Sequence, residues 1–301
     1  MAGGANSTKA IVYALSANFA IAITKYIAAA ITGSGSMLAE AVHSTADCGN
    51  QLLLLFGMKR SRRPPTADYP MGFGKETYFW SFVVAIMLFT VGGMFSIYEG
   101  WHKLQTPEAV EKPLVALGVL AFGIGAEGFS MWGALREVNK LRGDASLWQW
   151  FRGTRNSELV VIFGEDLAAL LGLSFAFVAV LVTWMTDNPM WDAIGSIAIG
   201  ALLVVVAIAV AIEVKAMLIG QGVEPEIRAR MLAFLAARPE VEAVLELLTL
   251  HFGGDVMVAV KAKMRPQGNL DALVDAINGV EAAFKKEFPQ TQWIFFEPDV
   301  R

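Results

Sequence analysis

Residues 159–184 read LVVIFGEDLAALLGLSFAFVAVLVTW, and their length and apolarity predict a helix that crosses a membrane. Such a helix needs about 20 mostly apolar residues to cross about 30 Å of hydrocarbon. The whole chain is 55% hydrophobic and 17% charged, whereas soluble domains contain about 25% charged residues. Similar apolar runs flank this stretch, so the sequence predicts six spans: roughly Ala10–Thr32, Met37–Gly57, Thr77–Tyr98, Leu114–Leu135, Leu159–Trp184 and Trp191–Ile212.

The end of the chain has a different character. After Glu213 the charge density becomes ordinary, which predicts a transmembrane domain over residues 1–214 and a soluble domain over residues 215–301. The order helix, strand, strand, helix, strand is typical of a small α+β domain of ferredoxin-like type. Helical spacing and strand-like alternation place these elements at Pro225–Ala237, Val241–Phe252, Asp255–Met264, Leu270–Phe288 and Gln292–Phe296.

Lys and Arg are distributed unevenly among the loops. They are concentrated after the second and fourth spans and absent from the first and fifth connections. Because positively charged loops stay in the cytoplasm, both termini and the soluble domain are expected there. The N-terminus shows no targeting pattern, which favours a bacterial inner (plasma) membrane over an organelle. A net charge of −4 supplies no basic field for nucleic acid.

The second span carries an unusual number of polar residues for a membrane helix. The spacing of Glu40, His43, Asp47 and Asn50 places all four on one helical face. His43 and Asp47 lie one turn apart, and an imidazole nitrogen with a carboxylate oxygen suits Zn²⁺. The same pair accepts Mn²⁺, Fe²⁺ or Co²⁺. The alternative is a polar stripe that holds neighbouring helices together.

Three further acids lie inside apolar runs. Glu165 and Asp166 are adjacent in the fifth span, and their side chains point about 100° apart on a helix. Two acids at this depth repel unless a cation lies between them or one is protonated, so they are candidate metal ligands, proton carriers, or one of each. The alternative is a cap at a kinked helix start near Gly164. Glu127 in the fourth span is either a proton-linked acid or a packing partner.

Enzymatic catalysis is not expected. No nucleophile-and-base arrangement accompanies Ser44 or Cys48. Since Cys48 is the single cysteine, an intrachain disulfide and a thiolate zinc site are both excluded. No resident cofactor is indicated.

Two motifs resemble the cation diffusion facilitator family: AEAVHSTADCGNQ in the second span and YPMGFGKETYFWS before the third. The resemblance covers nearly the whole chain, including the six spans and the soluble tail. It implies a homodimer that exports a divalent cation, most often zinc, usually in exchange for protons. It also implies a four-ligand site between the second and fifth spans, with His43 and Asp47 in the second-span positions.

The fifth span departs from the pattern that this resemblance implies. If Asp166 takes the aspartate position of the family's His-x-x-x-Asp, the histidine position falls on Ile162, and Glu165 is the nearest substitute. The chain therefore resembles a divergent branch with Glu-Asp in this helix, to which EGFSMWGALREVNKLRG is also similar. One histidine with three carboxylates is a harder ligand set than two histidines with two aspartates, which favours Mn²⁺ or Fe²⁺.

The tail departs from the family as well. It contains His251, with Glu297 and Asp299 near the end, and one histidine does not make a zinc cluster alone. We therefore expect a structural, dimer-forming tail.

These observations favour proton-coupled export of a divalent cation, zinc first, by alternating access. The expected ligands are His43, Asp47, Glu165 and Asp166, with Glu40, Glu127 and Asn50 as accessory or proton-linked groups. The alternatives are a membrane metal sensor or scaffold that does not transport, and a transporter selective for Mn²⁺, Fe²⁺ or Co²⁺.

Overall fold

A computed structural model describes residues 7–32, 35–106 and 112–300, without the side chains of residues 29, 32, 35–40, 42, 43 and 46. The helical part consists, in chain order, of α1 (Ser7–Thr32), α2 (Gly35–Ser61), α3 (Glu76–Met87), a π-helical segment (Leu88–Met94), α4 (Phe95–Gln105), α5 (Pro113–Arg142), α6 (Leu147–Gly153), α7 (Ser157–Thr186) and α8 (Met190–Gly220). The tail consists of α9 (Pro225–Ala236), β1 (Val241–Phe252), β2 (Asp255–Met264), α10 (Leu270–Glu287) and β3 (Thr291–Pro298). The predicted class, a helical membrane protein with a small α+β tail, is confirmed.

Each predicted span coincides with a helix, and the third with the continuous stretch α3–π–α4. Within the described residues, five stretches are long and apolar enough to cross a membrane: Ser7–Ala28, Glu76–Gln105, Pro113–Arg142, Ser157–Thr186 and Met190–Ala236. Helix α2, the predicted second span, is not part of this set, since many of its side chains lie outside the described residues. Sequence patterns missed the short helix α6 and the π-helical segment.

Large apolar side chains lie on the outside of the helical part, and several ionisable side chains lie inside it, which is the reverse of the arrangement in a soluble protein. Ile31 and Val205 are 74% and 65% exposed, whereas Lys25, Glu127 and Asp166 are 6%, 3% and 1% exposed. Water-soluble proteins rarely bury such charges or expose wide apolar surfaces. The arrangement suits a helical bundle that faces lipid outside and keeps its ionisable groups inside. The chain is an integral membrane protein.

A side-chain cap marks the start of α7, and glycines allow two helical segments to pack closely. Asn156 caps α7, because its side-chain oxygen accepts a hydrogen bond of 3.0 Å from the Leu159 N–H. The π-helical segment contains Gly93, which approaches Gly200 of α8 so closely that a Cβ on Gly200 would lie 2.7 Å from the Gly93 carbonyl oxygen. Small residues permit such backbone approach between membrane helices.

The chain forms two compact units. The first contains Met1–Lys59, Thr77–Arg152 and Asn156–Lys215, and the second contains Arg60–Glu76, Gly153–Arg155 and Ala216–Arg301. Two loops between helices are thus grouped with the tail. The proposed boundary between residues 214 and 215 stays a prediction of where an independently folding domain begins.

The tail of the second unit is a three-stranded sheet in the order β1-β2-β3, with β1–β2 antiparallel and β2–β3 parallel. Alternate residues of β2, Val256, Val258 and Val260, point into the core. Val280 and Phe284 of α10, one turn apart, cover them from one side. Burying each such side chain contributes roughly 1.5–3 kcal/mol, so this small core accounts for the tail's compactness.

The loop between α2 and α3 contacts the hairpin that joins β1 to β2 inside the second unit. A Cβ on Gly74 would lie 2.5 Å from the carbonyl carbon of Phe252, and one on Gly253 would lie 2.8 Å from the Gly74 carbonyl oxygen. The Lys75 ammonium lies 5.2 Å from the centre of the Phe252 ring. Glycine is therefore required at position 74 by backbone contact.

Candidate functional site

Glu165 of α7 is a buried acid that contacts a second helix inside the helical unit. Its side chain is 5% exposed, and both carboxylate oxygens accept hydrogen bonds from amide groups of α2. Asn50 Nδ2 donates to Oε1 at 3.0 Å, and Gln51 Nε2 donates to Oε2 at 2.9 Å. Hydrogen bonds to a charged acceptor are stronger than those between neutral groups. These contacts join α2 to α7, the two helices that carry the predicted ligands.

The hydrogen-bond network continues from α2 to α1. Asn18 Nδ2 donates to Gln51 Oε1 at 3.3 Å, so Gln51 accepts from α1 and donates to α7. Both amides are buried. Asn50 also keeps an oxygen, Oδ1, that is buried and has no hydrogen-bond partner among the described residues. Buried polar atoms without partners are uncommon, and an amide oxygen can coordinate a cation.

Asp166 faces a different helix from its neighbour Glu165. Ser130 Oγ of α5 donates to Asp166 Oδ2 at 2.8 Å, and both residues are fully buried. Adjacent residues on a helix point about 100° apart, which explains why Glu165 contacts α2 and Asp166 contacts α5. That both acids bind one metal ion stays a prediction. Sequence reasoning missed Ser130, three residues after Glu127 on the same helical face.

Further charged groups surround this pair. Glu127 of α5 lies within electrostatic range of Asp166, Asp47 and Lys25, and Glu165 lies within range of Asp47. Lys25 of α1 donates a hydrogen bond of 2.9 Å to Ser44 Oγ of α2. Four carboxylates and one ammonium thus influence one another electrostatically inside the bundle, with Asp47 half-buried and the others buried. When these carboxylates are ionised, their negative charge attracts a cation.

Two of the predicted site residues, Glu40 and His43, have side chains outside the described residues. Among the described side chains, no three of His, Cys, Asp or Glu lie close enough together to hold a metal ion. The predicted set His43, Asp47, Glu165 and Asp166 therefore stays a prediction. The structure places Asp47 near Glu165, and Asn50 in direct contact with it.

His251 of the tail lies in β1, in the second unit. Its side chain is 13% exposed, and Nε2 is 3.9 Å from Glu224 Oε2. Burial lowers the pKa of His251, since it disfavours the charged imidazolium; the Glu224 carboxylate opposes that effect and the Arg155 guanidinium adds to it. His251 is therefore a neutral strand residue at pH 7.

A family model described as the cation efflux transmembrane domain matches residues 11–219. The mitochondrial proton-coupled zinc antiporter SLC30A9 of Xenopus laevis is 32% identical over 248 residues, 81% of this chain and 44% of that protein. Metal tolerance protein C4 of Arabidopsis thaliana is 32% identical over 245 residues, 80% of this chain and 53% of that protein. Zinc transporter ZitB of Escherichia coli K12 is 25% identical over 275 residues, 90% of this chain and 82% of that protein. The chain spans about half the length of the first two.

Proposed function

The chain belongs to the cation efflux family, and we propose that it exports a divalent metal cation in exchange for protons. Zinc is the expected cargo. The proposal rests on the buried carboxylate of Glu165, which accepts hydrogen bonds from Asn50 and Gln51 of α2. The same carboxylate interacts electrostatically with Asp47. Acids buried at membrane depth are costly and usually serve an ion pathway. Families of this kind are transporters, not enzymes, and no catalytic step is needed.

Exchange follows from competition for the same acids. A metal ion binds ionised carboxylates and a neutral imidazole, so its binding releases protons. After the metal leaves, protons neutralise the cluster, because several carboxylates cannot all stay charged in a buried site. We propose that His43, Asp47, Glu165 and Asp166 hold the ion, and that Glu40, Glu127 and Asn50 assist. Alternating access then requires α2 and α7 to expose the site to one side at a time.

Zinc is the expected cargo for two reasons. His43 supplies a nitrogen ligand suited to Zn²⁺, and relatives from Xenopus laevis and Escherichia coli carry names that specify zinc. The oxygen-rich remainder of the set favours Mn²⁺ or Fe²⁺ more than a two-histidine site does. Selectivity among Zn²⁺, Mn²⁺, Fe²⁺ and Co²⁺ therefore belongs to the first experiment.

Assembly and location are part of the same proposal. We propose a homodimer with both termini in the cytoplasm, supported by the family and by the positive loops. We propose a bacterial inner membrane, since the ZitB relative that matches 90% of this chain comes from a bacterium. A mitochondrial membrane is the alternative that the vertebrate relative's name supports.

The test is metal flux into proteoliposomes under an imposed pH gradient, with each of the four ions. The wild type, Asp47→Ala and Asp144→Ala are compared; Asp144 is an exposed loop acid and serves as the matched control. Flux of one ion that depends on the gradient and is lost only in Asp47→Ala supports the proposal. Flux of no ion by a folded dimer would refute it and leave a metal sensor or scaffold as the better hypothesis.

A further inference from the structure

A basic cavity lies in the loop between α2 and α3. Its volume is about 330 Å³, and its lining includes Arg60, Arg63, Tyr69, Phe73, Lys75 and Glu76. Pockets that bind small molecules start at about 300 Å³, so the cavity admits a group of phosphate size together with the atoms next to it. Three cations and one carboxylate line it, which leaves a net positive charge. A positively charged lining does not suit a divalent cation.

Hydrogen-bonded turns shape the loop. Thr66 and Tyr69 exchange two backbone hydrogen bonds of 3.1 Å, and the Gly72 N–H donates to the Tyr69 carbonyl at 2.9 Å. Gly72 has a φ of +71°, a conformation that favours glycine. The Tyr69 and Phe73 rings pack with their centres 4.6 Å apart. The cations are therefore presented by a shaped loop.

The three cations are held in different ways. Arg63 lies over the Phe73 ring, 4.8 Å from its centre, which leaves the planar guanidinium oriented by an aromatic face. Arg60 Nε is 3.1 Å from Glu76 Oε1, and Lys75 Nζ donates to the Leu218 carbonyl at 3.4 Å. Glu76 repels an anion, but its charge is balanced by Arg60. Arginine presents a fork of donors that matches two oxygens of a phosphate.

The chain connectivity predicts that the cavity lies near the membrane surface. Arg60 belongs to the last turn of α2, and Glu76 is the first residue of α3, the helices of the predicted second and third spans. Residues 59–76 contain five cations and two acids, a net charge of +3, which assigns this end to the cytoplasmic side. Anionic lipids are concentrated in that leaflet and attract basic segments next to membrane helices. Tyr69, 56% exposed, is a residue type enriched at membrane surfaces.

We propose that this cavity binds the phosphate group of an anionic membrane lipid. Arg63 supplies the principal contact, Lys75 supplies further positive charge, and Arg60 cancels the charge of Glu76. A zwitterionic lipid also has a phosphate, but its headgroup cation is repelled by the same three side chains. Soluble phosphate shares the chemistry of the lipid headgroup, so the experiment has to separate these two sources.

The experiment uses the full chain, purified and studied by native mass spectrometry while phosphatidylglycerol or phosphatidylcholine is added. We expect phosphatidylglycerol to bind more tightly than phosphatidylcholine. Arg63→Gln should weaken the binding of phosphatidylglycerol by more than about tenfold. Arg62→Gln is the matched control, because Arg62 is exposed, carries the same charge and is outside the cavity lining. It should weaken binding by less than about fivefold. Arg63→Lys keeps the charge but not the paired N–H donors of the guanidinium, so its affinity for phosphatidylglycerol should lie between those of Arg63→Gln and Arg62→Gln.

Two results would overturn the proposal. Equal losses in Arg62→Gln and Arg63→Gln would show that diffuse surface charge, not the cavity, attracts the lipid. Displacement of phosphatidylglycerol by glycerol phosphate at equal concentration would identify a soluble phosphate site instead. Arg63 is exposed, so its variants are expected to fold, and an unchanged thermal unfolding midpoint checks this.

Discussion

Replacing Glu165 by glutamine, with Asp166→Asn as the comparison, tests which acid of the fifth span binds the cation. The two residues are adjacent, buried and equal in charge, but they face different helices. Glu165 accepts hydrogen bonds from Asn50 and Gln51 of α2, and Asp166 accepts one from Ser130 of α5. Because α2 also carries Asp47, we expect Glu165 to be the primary ligand of α7.

The magnitudes follow from these contacts. Glu165→Gln leaves one oxygen for two amide donors, so one hydrogen bond is lost, at a cost of about 1–3 kcal/mol. Removal of a buried charge offsets part of that cost, and the protein is expected to fold. Loss of groups that only orient a metal ligand weakens metal binding about 10- to 100-fold. Loss of the ligand itself should therefore weaken Zn²⁺ binding by more than about 100-fold, or about 2.7 kcal/mol. In Asp166→Asn the hydrogen bond from Ser130 is retained and an amide oxygen still faces the site, so we expect a smaller loss of Zn²⁺ affinity than in Glu165→Gln, about 10- to 100-fold.

The assay is titration of Zn²⁺ into each purified variant, followed by flux in proteoliposomes under a pH gradient. Ser130→Ala provides a control that removes the partner of Asp166 and leaves both acids in place. The reasoning is refuted if Asp166→Asn loses Zn²⁺ binding while Glu165→Gln retains it. In that case contact with α2 is not what selects the ligand.

Three further predictions concern other parts of the molecule. Lys25→Met should tighten Zn²⁺ binding about three- to tenfold, because it removes a positive charge from the carboxylate cluster; unchanged or weaker affinity in the same titration would count against that role. Gly74→Ala should destabilise the second unit by about 1–3 kcal/mol or more, since its Cβ would overlap the Phe252 carbonyl, and a thermal unfolding midpoint equal to that of the wild type would contradict this. Burial lowers the pKa of His251, so below about pH 6.5 the unfolded chain binds more protons than the folded chain and stability should fall. His251→Gln should make the thermal unfolding midpoint less dependent on pH between about 7.5 and 5.5. An identical pH dependence in this variant and in the wild type would exclude His251 as the cause.

The amino-acid sequence determined the positions of the membrane helices and the order of elements in the tail. Both properties are local: a run of apolar residues is long enough to cross a bilayer or it is not, and alternation predicts a strand wherever it occurs. The bounds Val241–Phe252 and Asp255–Met264 agree with β1 and β2. The sequence also identified Glu165 and Asp166 as acids at membrane depth, and the motifs that indicated the family.

Only the tertiary structure decided which helix each acid faces. Glu165 contacts α2 and Asp166 contacts α5, and the spacing along α7 fixes the angle between the two side chains but not the identity of their neighbours. The loop motif is a second case, since Gly74 is required by its approach to Phe252, far away along the chain. Contacts of this kind depend on packing between segments that are distant in sequence, and no local pattern of residues contains that information.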